Sequence, residues 1–308
     1  MAQSTALLRL GTRGSPLALV QARAVRTYLA AALGENEEAI EIVRIRTTGD
    51  AIQDRPLSEM GGKGLFTKEI EEAMLDGRID FAVHSSKDMP TVSQPGLTLA
   101  ACLEREDPRD VFISRKAKGF ADLPQGAMLG TASLRRQAIA KRLRPDLQVV
   151  PLRGNVETRL KKLDAGDVDA TLLALAGLRR LGLTQHATAV LSIDEFLPAV
   201  GQGAIGIEAR ADDARTLDAL SRINHRQTFD ALACERAFLA ELDGSCKTPI
   251  AGHAEIEGEA LRFRGLIARP DGHAAHDIAC TGRRADAKTI GAEAGRELKR
   301  LAGAGFFD

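Results

Sequence analysis

The sequence predicts an α/β fold of two similar lobes followed by a smaller α+β domain. Three observations carry that prediction. Over the first two thirds of the chain, apolar strand-like runs alternate with helix-periodic segments, the pattern of βαβ units. Two stretches of the first series recur in the second: Leu10-Gly11-Thr12-x-x-Ser15 has its counterpart in Leu129-Gly130-Thr131-x-Ser133, and Leu75-Asp76-Gly77-Arg78-Ile79-Asp80 in Leu163-Asp164-Ala165-Gly166-Asp167-Val168-Asp169. From Asp212 onward the pattern changes to two helices, three alternating strands and a last helix. The expected division is residues 1–103 with 204–222 as lobe one, 109–198 as lobe two, and 226–308 as the α+β domain.

Each element has its own signal. Residues 6–11 read as a strand; Ser15-Pro16 then opens a helix, serine as N-cap and proline at its first position. Residues 40–46 alternate apolar and polar, as a half-buried strand does. Five residues of 47–64 (Gly49, Pro56, Gly61, Gly62 and Gly64) mark a long mobile loop, a length usually tied to function. A helix over 66–75 stops at Gly77, and a buried strand follows over 79–83. Past a linker at 103–109, the second series predicts strands at 110–114, 128–131, 147–152 and 170–174. Its helices are 134–143, capped by Ser133, 156–163, capped by Asn155, and a short one through Arg180. A strand at 204–209 crosses back. The last domain reads as helices 213–223 and 227–242, antiparallel strands 250–256, 260–268 and 273–281, and a helix over 287–302.

Composition narrows the function classes. Formal net charge is zero over 308 residues, so no global charge drives the chain to nucleic acid or membrane. Basic residues are lopsided, with 31 Arg and 11 Lys, and Arg offers a planar fork for carboxylates or phosphates. The four cysteines, at 102, 234, 246 and 280, form no Cys-x-x-Cys and lack zinc-finger histidines, so no structural zinc and no disulfide framework is expected. Arg9 and Arg13 interrupt the N-terminal apolar run, and no stretch is long enough to span a bilayer; a soluble cytosolic protein is expected. Gly201-x-Gly203-x-x-Gly206 lacks the preceding strand and following helix of a dinucleotide site, and Gly62-Lys63-Gly64 lacks the other residues of a P-loop.

Three places can carry chemistry. The burst Ser85-Ser86-Lys87-Asp88 leaves the carboxyl end of a buried strand, where open α/β sheets bind ligands. His84 before it suits a structural hydrogen bond. Between Thr131 and Lys162 stand nine cations against Asp146 and Glu157. Arg135 and Arg136 lie in the first turn of their helix, where a cation opposes the helix dipole, so an anion is expected beside them. Arg153 and Arg159 point to the same region, and Arg13 occupies the corresponding turn of lobe one. Two lobes with such arginines imply a cleft for a small molecule bearing several carboxylates or phosphates, with Asp88 as the only acid among them, held ionised by its cations. Cys246, in a glycine-containing loop beside Lys247, is either a reactive thiolate or an ordinary loop cysteine. The cationic segment has no aromatic residue to stack a base, which argues against RNA.

Taken together, these segments resemble the porphobilinogen deaminase (hydroxymethylbilane synthase) family. The resemblance runs through Gly11-Thr12-Arg13-x-Ser15-Pro16-Leu17-Ala18, Gly61-Gly62-Lys63-Gly64-Leu65-Phe66, Ala82-Val83-His84-Ser85-x-Lys87-Asp88 and Glu104-Arg105-Glu106-Asp107-Pro108-Arg109-Asp110. It continues through Ser133-Leu134-Arg135-Arg136-Gln137, Leu152-Arg153-Gly154-Asn155, Ala176-Gly177-Leu178-x-Arg180-Leu181 and Pro198-Ala199-Val200-Gly201-Gln202-Gly203-Ala204. It implies two periplasmic-binding-protein-like lobes plus the small α+β domain. It also implies a dipyrromethane cofactor joined by a thioether to Cys246 and acting as a primer. Four porphobilinogens would be added head to tail, each losing ammonia, before hydrolysis of the linear product. Asp88 then corresponds to the catalytic acid/base. Ser85, Lys87, Asp88, Thr131, Ser133, Arg135, Arg136 and Arg159 correspond to cofactor-binding positions. Arg13, Ser15, Phe66, Arg153, Arg180 and Gln202 correspond to positions near the incoming substrate. A monomer is implied, without metal, nucleic acid or membrane as partner. The sequence departs from the family pattern at Gly244-Ser245, where many relatives have two glycines before the cysteine.

Two other classes compete. A two-lobed anion receptor needs neither Asp88 nor Cys246 and calls for an export signal. An RNA binder uses the basic segment and leaves both residues idle.

Overall fold

The computed structural model describes residues 6–51, 66–244, 248–303 and 305–306. In chain order the first unit begins with β1 (Leu8–Arg13), α1 (Pro16–Leu33), β2 (Ile40–Ile45), α2 (Thr48–Ala51), α3 (Lys68–Leu75), β3 (Phe81–Ser85) and β4 (Leu97–Cys102). The chain then builds β5 (Asp110–Ser114), β6 (Met128–Gly130), α4 (Leu134–Leu143), β7 (Gln148–Val150), α5 (Val156–Asp164), β8 (Ala170–Ala174), α6 (Leu175–Leu181) and β9 (Ala189–Val190). It returns through β10 (Ile205–Arg210) and α7 (Ala214–Ser221), and ends in α8 (Arg226–Glu241), β11 (Ile250–Glu257), β12 (Ala260–Ala268), β13 (Ala275–Arg283) and α9 (Ala287–Ala302). Residues 6–51, 66–105 and 204–229 belong to one compact unit, 106–203 and 230–306 to a second.

Both lobes of the predicted fold class are present as five-stranded sheets of the same design. The first has the order β2-β1-β3-β10-β4 and the second β7-β6-β8-β5-β9. In each, three strands run parallel and the fourth, β10 or β5, runs antiparallel to its neighbour. An antiparallel strand reverses which end meets the carboxyl edge of the parallel ones. Asp110, first residue of β5, therefore lies opposite Ala174, last residue of β8. Ile205, first of β10, lies opposite Ser85, last of β3. Such starting residues thus face the edge where ligands bind.

The first sheet is covered on both faces. Leu10, Phe81, Val83 and Ile207 meet Val25 and Leu29 of α1 and Leu220 of α7, all buried. On the opposite face Ile70 and Met74 of α3 pack over Ile79, Ala82 and Leu97. Burying one such side chain contributes about 1.5–3 kcal/mol. The third sheet, β11-β12-β13, is antiparallel, as its alternation predicts. Phe238 of α8 fills its face, 4.9 Å from the Phe263 ring. Gly265 makes that fit possible, since a Cβ there would lie 2.7 Å from the Phe238 ring.

The helix caps match their sequence signals. Ser15 accepts from Ala18 N at 3.3 Å, Ser133 from Arg136 N at 3.4 Å and Asn155 from Thr158 N at 2.8 Å. Two strands had no sequence forecast, β4 and the two-residue edge strand β9. Strands β1 and β3 begin two residues later than expected. The long loop expected over 47–64 opens with α2; its remainder from residue 52 lies outside the described residues.

Candidate active site

The first unit gathers its predicted residues at the carboxyl edge of its sheet. Strands β1 and β3 pair in parallel, Leu10 with Phe81 and Gly11 with Ala82, so the ends carrying Arg13 and Ser85 lie side by side. A 3-10 turn, Ser86–Asp88, follows at once and presents Lys87 and Asp88 half-buried. Arg13 Nη1 stands 3.9 Å from Asp88 Oδ2, and the Asp88 side chain keeps 35% of its exposure. That is an ion-pair distance rather than a hydrogen bond, so the carboxylate has free faces for a ligand. The Arg13 guanidinium lies 4.2 Å from the centre of the Phe66 ring, a cation–π contact that fixes both groups. Arg13, Ser15, Gln21, Phe66, Ser85 and Asp88 line one depression.

Gln21 was not among the residues picked from the sequence. Its Nε2 donates to Ser85 Oγ at 2.9 Å, and Ser85 Oγ lies 3.1 Å from its Oε1. The signal was present: Gln21 is the one polar residue among the buried positions of α1, with Ala22, Val25, Leu29 and Ala30. A buried amide on an apolar stripe needs partners, and here it holds the Ser85 hydroxyl in place.

The second unit gathers Thr131, Ser133, Arg135 and Arg136 where α4 begins. Thr131 is buried and accepts from Ser133 N at 3.2 Å. The anion expected beside the two first-turn arginines is Asp110, from the chain itself. Arg135 Nη2 donates to Asp110 Oδ2 at 2.7 Å, and Arg136 Nη2 to Oδ1 at 2.7 Å. Arg135 Nη1 donates to the carbonyl of Leu197 at 2.7 Å and Arg136 Nη1 to that of Leu172 at 2.8 Å, while Arg135 Nε has no partner among the described residues. Gln202 Nε2 completes the set, 2.6 Å from Pro108 O and 3.1 Å from Asp110 Oδ1. Burial works to raise the Asp110 carboxyl, but the two guanidiniums outweigh it and bring it down to about 2. The expectation that Asp88 is the only acid among the arginines is therefore corrected, because Asp110 is a second one and is fully enclosed by them.

The other cations differ in setting. Arg159 Nε donates to Gly154 O at 2.9 Å, which folds it over the start of α5. Arg180 Nη2 donates to Gly203 O at 2.7 Å. Burial lowers the pKa of Arg180 from the usual arginine value and Glu106 counters it. Gly203 has φ +90°, and a Cβ there would meet Glu106 O at 2.2 Å, so this turn needs glycine. Arg153 is half-buried and makes no ion pair or hydrogen bond among the described residues. A half-buried cation without a partner, next to a helix N-terminus, fits a carboxylate-bearing ligand. Cys246 lies outside the described residues.

Residues 8–218 match the family model described as "Porphobilinogen deaminase, dipyromethane cofactor binding domain", and residues 229–300 match "Porphobilinogen deaminase, C-terminal domain". The porphobilinogen deaminases of Nitrobacter hamburgensis and Nitrobacter winogradskyi are each 60% identical over 301 residues, covering 98% of this chain and 95% of the relative. The chain belongs to the porphobilinogen deaminase family. As a porphobilinogen deaminase it is a transferase that works with a dipyrromethane cofactor, as the resemblance implied. Among solved structures, it is similar to a nutrient binding protein from Burkholderia cenocepacia bound to methionine, with TM-score 0.44 and 17% identity over 77% of this chain and 96% of the other. A periplasmic substrate-binding protein of an ABC transporter from Coxiella burnetii gives TM-score 0.44 and 14% identity over 70% and 91%. No described helix is long and apolar enough to cross a membrane.

Proposed function

We propose that the chain joins four porphobilinogens head to tail on a dipyrromethane primer held by a thioether at Cys246. Each addition releases ammonia, and hydrolysis then frees linear hydroxymethylbilane. The observation that carries this reading is the Asp88–Arg13 pair beside Phe66, at the carboxyl edge of the first sheet. Asp88 is a partly exposed acid, placed to give and take the protons that ammonia loss and ring coupling require. Ionised, it also stabilises positive charge on the substrate pyrrole. Arg13 and Ser15 offer donors to a substrate carboxylate, and the Phe66 ring offers a flat face to a pyrrole.

In the second unit Thr131, Ser133 and Arg159 sit at the starts of α4 and α5, where backbone donors and cations favour carboxylates. With Ser85, Lys87, Arg135 and Arg136 they would hold the acidic side chains of the dipyrromethane. Asp110 already neutralises part of the Arg135 and Arg136 charge, so those two bind the cofactor through their residual positive field and through the helix start that they order. Arg153, Arg180 and Gln202 would receive the incoming unit. When bound, dipyrromethane supplies the pyrrole carbon to which the first porphobilinogen is joined. The enzyme acts as a cytoplasmic monomer.

The test is a stoichiometry. Purified enzyme given porphobilinogen is expected to release one ammonia per porphobilinogen consumed and to yield a linear tetrapyrrole. Porphobilinogen left intact, or binding without ammonia release, would favour a receptor instead.

A further inference from the structure

Behind the Asp88 turn lies a second set of titratable side chains that this chemistry leaves unused. His84 of β3 and Glu208 of β10 project onto the sheet face covered by α3, with His84 Nε2 3.5 Å from Glu208 Oε2. Strand β10 changes register against β4 at Ile207/Glu208, a break of the kind that re-aims a side chain. Glu71 reaches toward both from α3, near enough for their charges to act on it, with Thr67 beside it. Ser86 Oγ lies 2.9 Å from the point where a Cβ on Gly206 would stand, and Gly206 pairs with His84. All five side chains are buried. Among the described residues, Thr67 Oγ1, Glu71 Oε1, His84 Nε2, Ser86 Oγ and both Glu208 carboxylate oxygens lack hydrogen-bond partners.

Charge counting decides what such a cluster must hold. Two carboxylates face one imidazole, so full ionisation would bury a net negative charge at high cost. The neighbouring cations are committed elsewhere: Arg9 to Asp80, Arg210 to Asp213, Arg13 to Asp88. On α3, Lys68 pairs with Glu72, and Glu69 accepts from Thr48. Strand β4 brings only Cys102 as a titratable residue, and the turn after β3 brings Lys87. One carboxyl must therefore keep its proton. Burial raises the pKa of Glu71; the nearby Thr67 hydroxyl opposes it in part, and the Glu208 charge adds a lesser rise against a still smaller effect of His84. Thr67 and His84 also line the depression that contains Asp88, so the cluster opens onto it.

We propose that Glu71, His84 and Glu208 form a proton store behind the Asp88 pocket, serving the deaminase chemistry through His84. The inference rests on the porphobilinogen deaminase reading above. In each addition a C–N bond breaks and its electron pair leaves with nitrogen as ammonia. A C–C bond then forms, and the attacked ring carbon loses its proton. The freed proton ends on ammonia as ammonium, so one proton moves per addition and no oxidant is involved. The cluster holds that proton between the two events. Its members are positioning residues, since they act through His84 and Asp88.

Glu71→Gln is the decisive variant, because it keeps the neutral shape and removes the exchangeable proton. In the holoenzyme it is expected to lower kcat about ten- to a hundred-fold with KM unchanged, and to alter the pH profile of kcat. Wild-type kcat with an unchanged profile would overturn the proposal. Infrared spectra give a second readout that needs no substrate. A protonated-carboxyl stretch should be present in the wild type at neutral pH and absent from Glu71→Gln; a wild type without it also overturns the proposal. A failure of the deaminase reading shows separately, as porphobilinogen that releases no ammonia while the infrared band remains.

Discussion

Asp88→Asn is expected to fold, to keep its cofactor and to lose about 10²- to 10⁴-fold in kcat, the span of a lost general acid/base. The geometry separates chemistry from stability here. The side chain is 35% exposed and meets Arg13 only at 3.9 Å, so its removal costs little packing. A substitution at such a position usually changes stability by no more than about 0.5 kcal/mol. Asparagine keeps the shape and loses the ability to accept and return a proton. Ammonia release under saturating porphobilinogen measures the first effect and a thermal melt the second. Turnover within a few-fold of wild type would remove Asp88 from the proton transfers.

Asp110→Asn should do the opposite. Its carboxylate is fully buried and neutralises Arg135 and Arg136, each at 2.7 Å. Removing one partner of a buried ion pair leaves uncompensated charge and costs about 3–5 kcal/mol. Here two guanidiniums would be left without their anion, so the upper part of that range is expected in urea unfolding. The same residue sets an acid limit. Its carboxyl titrates at about 2 in the folded chain, below the ordinary value of 3.8. Folding therefore gains from the ionised form above about pH 4, and the gain fades as pH falls through 2. Wild type should lose stability over that window, and Asp110→Asn should lack that share of the loss. A stability change under about 1 kcal/mol would mean that the arginines find other partners.

These two acids show where sequence reading succeeds and where it stops. Asp88 was legible because its surroundings are local: a buried strand, a polar turn and a proline lie within twelve residues. Asp110 was not. Its partners are 25 and 26 residues away, and they meet only because β5 runs antiparallel to β8 and brings its first residue to the start of α4. The arginines still announced that an anion was needed, since two cations in the first turn of α4 oppose the helix dipole. Gln21 and Ser85 are separated by 64 residues and meet by the same kind of long-range pairing. Elements with strong periodicity or caps, such as α4 and β12, have the limits that the sequence predicted. Strand β4 escaped because Leu97–Cys102 is mostly Leu and Ala, which favour a strand no more than a helix. Strand β9 is two residues at a sheet edge, too short for any periodicity.

A covalent dipyrromethane primer on Cys246 would make this chain a chain-building enzyme. The mass of the intact protein, purified from a host that makes tetrapyrroles, tests it most directly. The expected mass exceeds that of the sequence by one dipyrromethane, with the increment located on Cys246 and lost in Cys246→Ser. An unmodified mass, or an increment that persists in Cys246→Ser, would contradict it.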